Sequence, residues 1–135
     1  MIEIIKIGST GITKYVNDLI THIKENTTEF VSIAKVNDGD KNYSFIVLFK
    51  DKCVVGKYGA LLHEWGTNDG MSGEGGSGFR LMNDFIKENS LKSFTLELSD
   101  RDAAAIGYMR KDTLTDEDER MKVWQGYANE LLALS

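Results

Sequence analysis

The chain has 135 residues, of which 41% are hydrophobic and 27% charged, a mixture typical of a globular domain and unlike disordered or membrane-spanning sequences. That length suits a single domain over residues 1–135, able to bury a core without disulfides or metal. The net charge is −5 and the 16 basic residues are scattered, so neither nucleic acid nor a membrane is an expected partner.

The first half of the chain predicts one helix and a set of strands. Residues 2–7 alternate and are β-branched, as in a strand, and they lack the basic-then-apolar layout of a secretory signal, so a cytoplasmic location is expected. Apolar residues spaced three and four apart predict an amphipathic helix over 12–23. An Asp-Gly turn within 37–40 predicts a hairpin that opens an antiparallel meander. The predicted strands of the meander cover 30–36, 43–49, 53–55 and 60–65.

The second half predicts a strand between helices, after a glycine-rich loop. Glycines at 66, 70, 73, 75, 76 and 78 mark the loop, and an amphipathic helix is expected from Phe79 to about Glu88. A strand follows over Ser93–Leu98. The Ser-x-x-acid pattern that begins at Ser99 predicts a helix to about Lys111, and a second such start at Thr115 predicts a final helix to Leu134. The final helix is expected to dock on the core through apolar residues spaced three and four apart, namely Met121, Trp124, Tyr127, Ala128, Leu131 and Leu132.

The residue types that bind metals or form covalent intermediates are few. Cys53 is the only cysteine, it lies in an apolar run, and we expect a buried thiol. His22 and His63 are far apart in sequence, and no cysteine or histidine pair has the spacing of metal ligands. No metal is therefore expected.

The glycine-rich segment that leads into the helix at Phe79 is the strongest chemical signal in the sequence. Glycines let a backbone approach phosphate closely, and the free N–H groups at a helix start point toward an anion. The same composition also occurs in loops that only connect two elements, and both interpretations stay open on this segment alone.

Two motifs resemble the GNAT superfamily of N-acetyltransferases. Gly76-Ser77-Gly78-Phe79-Arg80-Leu81-Met82 is similar to the G-x-G-x-x-L-L segment of that family's pyrophosphate loop and helix. The run from Leu96 to Lys111 is similar to the family's strand followed by N-x-x-A-x-x-(L/F)-Y-x-K, with Ala105 and Lys111 in register. The resemblance extends over about Ala60 to Lys111. It implies an α/β fold of the α+β type, with a mixed, mainly antiparallel central sheet flanked by helices and a helix at the C-terminal end.

The resemblance also implies an activity and a set of site residues. Acetyl-CoA would be the co-substrate, with its pyrophosphate on the backbone N–H groups of Gly75, Gly76, Ser77 and Gly78. The acyl acceptor would be an amine of a small molecule or of a protein. Direct attack needs a neutral amine, so a base is expected on the strand at 60–65. The resemblance implies Glu64 in that role, with His63 as the other candidate.

Other interpretations remain beside this one. The resemblance implies Tyr108 as the acid that protonates the leaving thiolate, yet Tyr108 also suits a core position, and Glu64 or His63 also suits the exposed rim of a strand. The chain could instead be a non-enzymatic GNAT-like binding protein that acts through a protein partner or as a homodimer. A third interpretation is a glycine loop that binds another phosphate ligand.

Overall fold

The structure is a computed structural model, and it describes residues 2–7, 12–38, 41–56, 74–99, 102 and 117–135. These residues form five strands and three long helices. The elements are β1 (Glu3–Ile7), α1 (Ile12–Glu25), β2 (Phe30–Asp38), β3 (Lys41–Phe49), β4 (Lys52–Gly56), α2 (Glu74–Glu88), β5 (Ser93–Glu97) and α3 (Glu117–Leu134). The α/β class, the hairpin and the final helix are therefore confirmed. The strand expected at 60–65 lies outside the described residues.

The five strands form one mixed sheet in the order β1-β4-β3-β2-β5. The meander β2-β3-β4 is antiparallel, and Asp38 pairs with Lys41 across the predicted turn. The two outer strands join in parallel, β1 beside β4 and β5 beside β2. The expected mixed sheet is therefore confirmed, and among the described strands the parallel and antiparallel pairs are equal in number.

The central strands are buried on both faces, which explains their nearly continuous apolar sequence. In β3, Phe45, Val47 and Phe49 pack on the face that carries α1 and α2. Ile46 and Leu48 pack on the opposite face, against α3. All five side chains are fully buried. Because successive side chains of a strand point to opposite faces, this pattern requires helices on both sides of the sheet.

Helix α3 packs on one face of the sheet through a stripe of apolar residues that are spaced three and four apart. Trp124, Tyr127 and Leu131 are buried, as the sequence predicted. Leu132 was expected in the same stripe, but it is 48% exposed. Ser135 lies on the same side of the helix as Leu131, and its hydroxyl lies 2.7 Å from that of the buried Ser32. The helical turn of 100° per residue carries Leu132 away from that side, toward solvent.

Cys53 is the buried free thiol that its apolar neighbours predicted. It lies on β4, in the core beneath α3. Burial raises the pKa of the thiol to about 12, so the reactive thiolate is disfavoured.

Candidate functional site

Helix α2 begins within the glycine-rich segment. The sequence predicted a loop up to Gly78 and a helix from Phe79, whereas the helix begins at Glu74. Gly75, Gly76 and Ser77 therefore lie in its first turn. With Glu74 as the first helical residue, the N–H groups of Gly75 and Gly76 have no acceptor inside the helix, whereas those of Ser77 and Gly78 take part in the helical hydrogen-bond ladder. Two of the four predicted cofactor-binding residues therefore keep an N–H without a helical acceptor.

Packing of the later turns explains why a glycine-rich sequence is helical here. Each glycine costs about 1 kcal/mol in a helix relative to alanine, which is why the sequence alone favoured a loop. Met82 and Ile86 are buried in the core between the helix and the sheet. Phe79 packs beside Phe45, with ring centroids 6.1 Å apart. The burial of these side chains offsets the propensity cost of the first turn.

A tight turn connects α2 to β5 and sets their relative direction. The Leu91 N–H donates to the Ile86 carbonyl oxygen at 3.0 Å, and the Ser90 N–H donates to the Lys87 carbonyl oxygen at 3.3 Å. Ser90 has a φ of 50°. These are the features of a Schellman motif, which ends the helix and reverses the chain within three residues. Strand β5 then runs back along the sheet.

The first turn of α2 consequently lies toward the carboxyl end of β5. Phe79 is level with Phe45, which pairs with Lys35 on β2, and Lys35 pairs with Thr95 on β5. Residues 74–77 precede Phe79 and therefore lie beyond the level of Thr95, toward the carboxyl end of β5. In open sheets with parallel strands, ligands bind outside the carboxyl ends of those strands.

The two predicted catalytic residues, Glu64 and Tyr108, lie outside the described residues, and so does His63. Of the predicted helix over 99–111, residues 99 and 102 are described. Asp102 is helical, and its N–H donates to the Ser99 hydroxyl oxygen at 3.0 Å. That bond is the N-cap that the Ser-x-x-acid pattern predicted.

A cavity of about 500 Å³, which we call the β5 cleft, lies at the carboxyl end of β5. One wall comes from the end of the strand and the turn that follows it, through Glu97, Ser99 and Asp102. Its volume falls in the range of small-molecule sites, which are commonly 300–1,000 Å³. No pattern in the sequence predicted a cavity at this place.

The other wall of the β5 cleft is the exposed flank of α3. Lys122, Gly126 and Glu130 follow one another at a spacing of four and lie along one side of the helix. Tyr127 adjoins them and reaches across to the opposite wall. The one local signal in the sequence was Gly126, a poor helix former in the middle of a strongly predicted helix.

Tyr127 joins the two walls. Its hydroxyl donates to Asp102 Oδ2 at 2.7 Å, and the Glu97 carbonyl oxygen lies 3.3 Å from the same hydroxyl. Burial, together with the hydrogen bond to Asp102, raises the pKa of Tyr127 above its ordinary value. The phenol is therefore a protonated donor at neutral pH and holds the Asp102 side chain at the cleft.

The described lining of the β5 cleft carries an excess of negative charge. Among the described residues, the carboxylates of Glu97, Asp102 and Glu130 line it together with Lys122. Within the described part of the chain, none of the three carboxylates has a lysine or arginine partner at ion-pair distance. The described residues also contain no group of three or more His, Cys, Asp or Glu side chains that could hold a metal ion.

Comparison with known proteins gives no relative from which to transfer a role. No family model, no curated protein and no solved structure matches the chain. None of the described helices is both long and apolar enough to cross a bilayer. The function therefore has to be argued from the residues of the chain itself.

Proposed function

We propose that the chain is a GNAT-type N-acyltransferase that transfers an acetyl group from acetyl-CoA to an amine. The observation that carries the proposal is the glycine-rich first turn of α2, at residues 74–77, near the carboxyl end of β5. Free N–H groups and the positive end of the helix dipole favour an anion there, and the absence of side chains at Gly75 and Gly76 lets a pyrophosphate approach the backbone. The resemblance of Gly76–Met82 to the family's motif supports the same assignment.

In this proposal, the protein contributes binding and proton transfer. The N–H groups of Gly75 and Gly76 hold the pyrophosphate, while Gly78 leaves room for close packing. The amine nitrogen attacks the thioester carbonyl carbon, the C–N bond forms, and the C–S bond breaks as the tetrahedral intermediate collapses. Glu64 takes the proton that the amine loses, and Tyr108 gives a proton to the departing thiolate.

Binding of acetyl-CoA and of free CoA, measured by calorimetry and by thermal shift, tests the first step. A ligand that binds only the native state raises the melting temperature by mass action. Gly76→Val should abolish binding, because a branched side chain blocks the phosphate, while the fold is kept because valine is a better helix former than glycine. Asp84→Ala, at an exposed position of α2, is the matched control and should bind normally.

Turnover tests the second step. Glu64→Gln should keep CoA binding and lower the rate by about 10²–10⁴-fold, with a smaller loss at high pH, where the acceptor amine is already neutral. Absence of CoA binding by the folded wild-type protein would discard the acyltransferase proposal. CoA binding without acetylation of any amine in a broad panel would instead favour the non-enzymatic alternative, for which light scattering would show whether the chain is a homodimer.

A further inference from the structure

The β5 cleft has a size, charge and shape that the acyl-transfer proposal does not use. We propose that it binds a small organic cation, an aliphatic amine or diamine, between the end of β5 and the flank of α3. The inference goes beyond the proposed acyl transfer and does not rest on it, since the CoA contacts proposed above lie on α2 and the cleft is formed by β5 and α3.

The charges of the described lining residues favour a positively charged ligand. Among the described lining residues, three carry a carboxylate and one carries an ammonium group, and this balance favours the entry of a cation over that of an anion. Glu97 and Glu130 are exposed and come from opposite walls, while the half-buried Asp102 is fixed by the Tyr127 hydroxyl. A diamine can therefore contact carboxylates on both walls at once.

Gly126 leaves open space beside the α3 backbone in the wall of the cleft. A side chain there would gain about 1 kcal/mol of helix propensity, and a Cβ at Gly126 would meet no atom of the described residues within 4 Å. Packing inside the described part of the protein therefore does not require glycine at this position. Open space beside a glycine in the cleft wall leaves room for the methylene chain of a ligand, which Val123 also lines with an apolar surface.

The arrangement suits an organic cation better than a metal ion. Metal ions need several ligand atoms that converge at about 2.0–2.6 Å, and the described carboxylates do not form such a group. An ammonium group can bind through longer and less convergent contacts than a metal ion. The cavity of about 500 Å³ is also much larger than a bare ion.

The test is a titration of the full chain with putrescine and spermidine, followed by calorimetry and by amide NMR shifts. We expect saturable binding that shifts the signals of Ser99, Gly126 and Tyr127, while sodium chloride at matched ionic strength leaves them in place. Shifts that sodium chloride reproduces, or shifts that centre elsewhere on the protein, would overturn the proposal.

Charge and steric variants test the location. Glu97→Gln with Glu130→Gln should weaken amine binding about tenfold or more, and Lys122→Gln should tighten it a fewfold. Glu88→Gln, an exposed carboxylate at the end of α2, is the matched control and should change nothing. An anion-binding site would give the opposite signs and refute the inference.

The steric variant uses the open space at Gly126. Gly126→Leu should remove binding while the melting temperature stays the same or rises, and Gly126→Ala should raise stability with a smaller loss of affinity. Unchanged amine affinity in a folded Gly126→Leu protein contradicts the proposed position. Because amine binding is measured without CoA, its failure and the failure of the acyl-transfer proposal are separate results.

Discussion

The Tyr127 hydroxyl donates a 2.7 Å hydrogen bond to the Asp102 carboxylate and so ties α3 to the helix start that follows β5. Tyr127 is 5% exposed, and its neutral form is favoured by burial. The pair joins two elements that are remote in sequence at the edge of the β5 cleft.

Tyr127→Phe should lower the free energy of unfolding by about 1.5–3 kcal/mol, the range for a hydrogen bond to a charged group. The lower end is expected because Asp102 is half-buried and water can replace the phenol. A double-mutant cycle with Asp102→Ala, followed by urea unfolding, measures the coupling. Additive effects of the two substitutions would show that the hydrogen bond contributes no stability.

The burial of Cys53 predicts that the protein loses stability at alkaline pH. Burial raises the pKa of its thiol from about 9 in the unfolded chain to about 12 in the folded protein. The contribution of the buried neutral thiol to the free energy of unfolding is therefore complete below pH 9 and is lost as the pH rises toward 12. The slope from this one group approaches 1.4 kcal/mol per pH unit. Cys53→Ala removes the ionising thiol and with it this pH dependence. The difference in free energy of unfolding between wild type and variant should therefore narrow above pH 9 in denaturant titrations. Parallel curves from pH 8 to pH 11 would contradict the assignment.

The backbone conformation of the turn after α2 predicts that glycine at position 90 stabilises the protein. Ser90 has a φ of 50°, where a side chain costs about 1–2 kcal/mol, so Ser90→Gly should raise the free energy of unfolding by roughly 0.5–1 kcal/mol after the extra freedom of the unfolded glycine is subtracted. Asn89→Gly is the comparison. Asn89 lacks the positive φ and donates to the Phe85 carbonyl oxygen at 2.9 Å, so its substitution should destabilise. Effects of the same sign at both positions would refute the backbone argument.

Two adjacent leucines of α3 provide a matched pair. Leu131 is fully buried, so Leu131→Ala should cost about 2–5 kcal/mol through lost burial and the cavity that remains. Leu132 is 48% exposed, and Leu132→Ala should change stability by less than about 0.5 kcal/mol. Thermal unfolding of both variants measures the difference. Equal losses would mean that α3 does not dock by the stripe described.

Local periodicity in the sequence predicted most of the elements but not their neighbours in the sheet. The strands and α1 follow from patterns within a few residues, and each lies within about two residues of its expected bounds. The parallel pairing of β1 with β4 and of β5 with β2 depends on packing of the whole chain, and no local pattern encodes it. The early start of α2 was missed because the propensity of glycine is outweighed by the burial of Met82 and Ile86.

The β5 cleft could not be predicted for the same physical reason. One wall comes from Glu97, Ser99 and Asp102 and the other from α3, and the two meet only when α3 docks on the sheet. Glu97 and Glu130 are ordinary surface residues when considered one at a time. The predicted roles of Glu64 and Tyr108 rest on the sequence resemblance alone and stay predictions.

The division of the sheet into two covered faces has a consequence for synthesis of the protein. A nascent chain that has emerged as far as α2 already holds the meander β2-β3-β4 and both helices of one face. The opposite face, with Ile46, Leu48 and Cys53, stays uncovered until α3 has left the ribosome. At an elongation rate of about 5–20 residues per second, that apolar surface is exposed for seconds, long enough for a chaperone to bind or for chains on one messenger to associate.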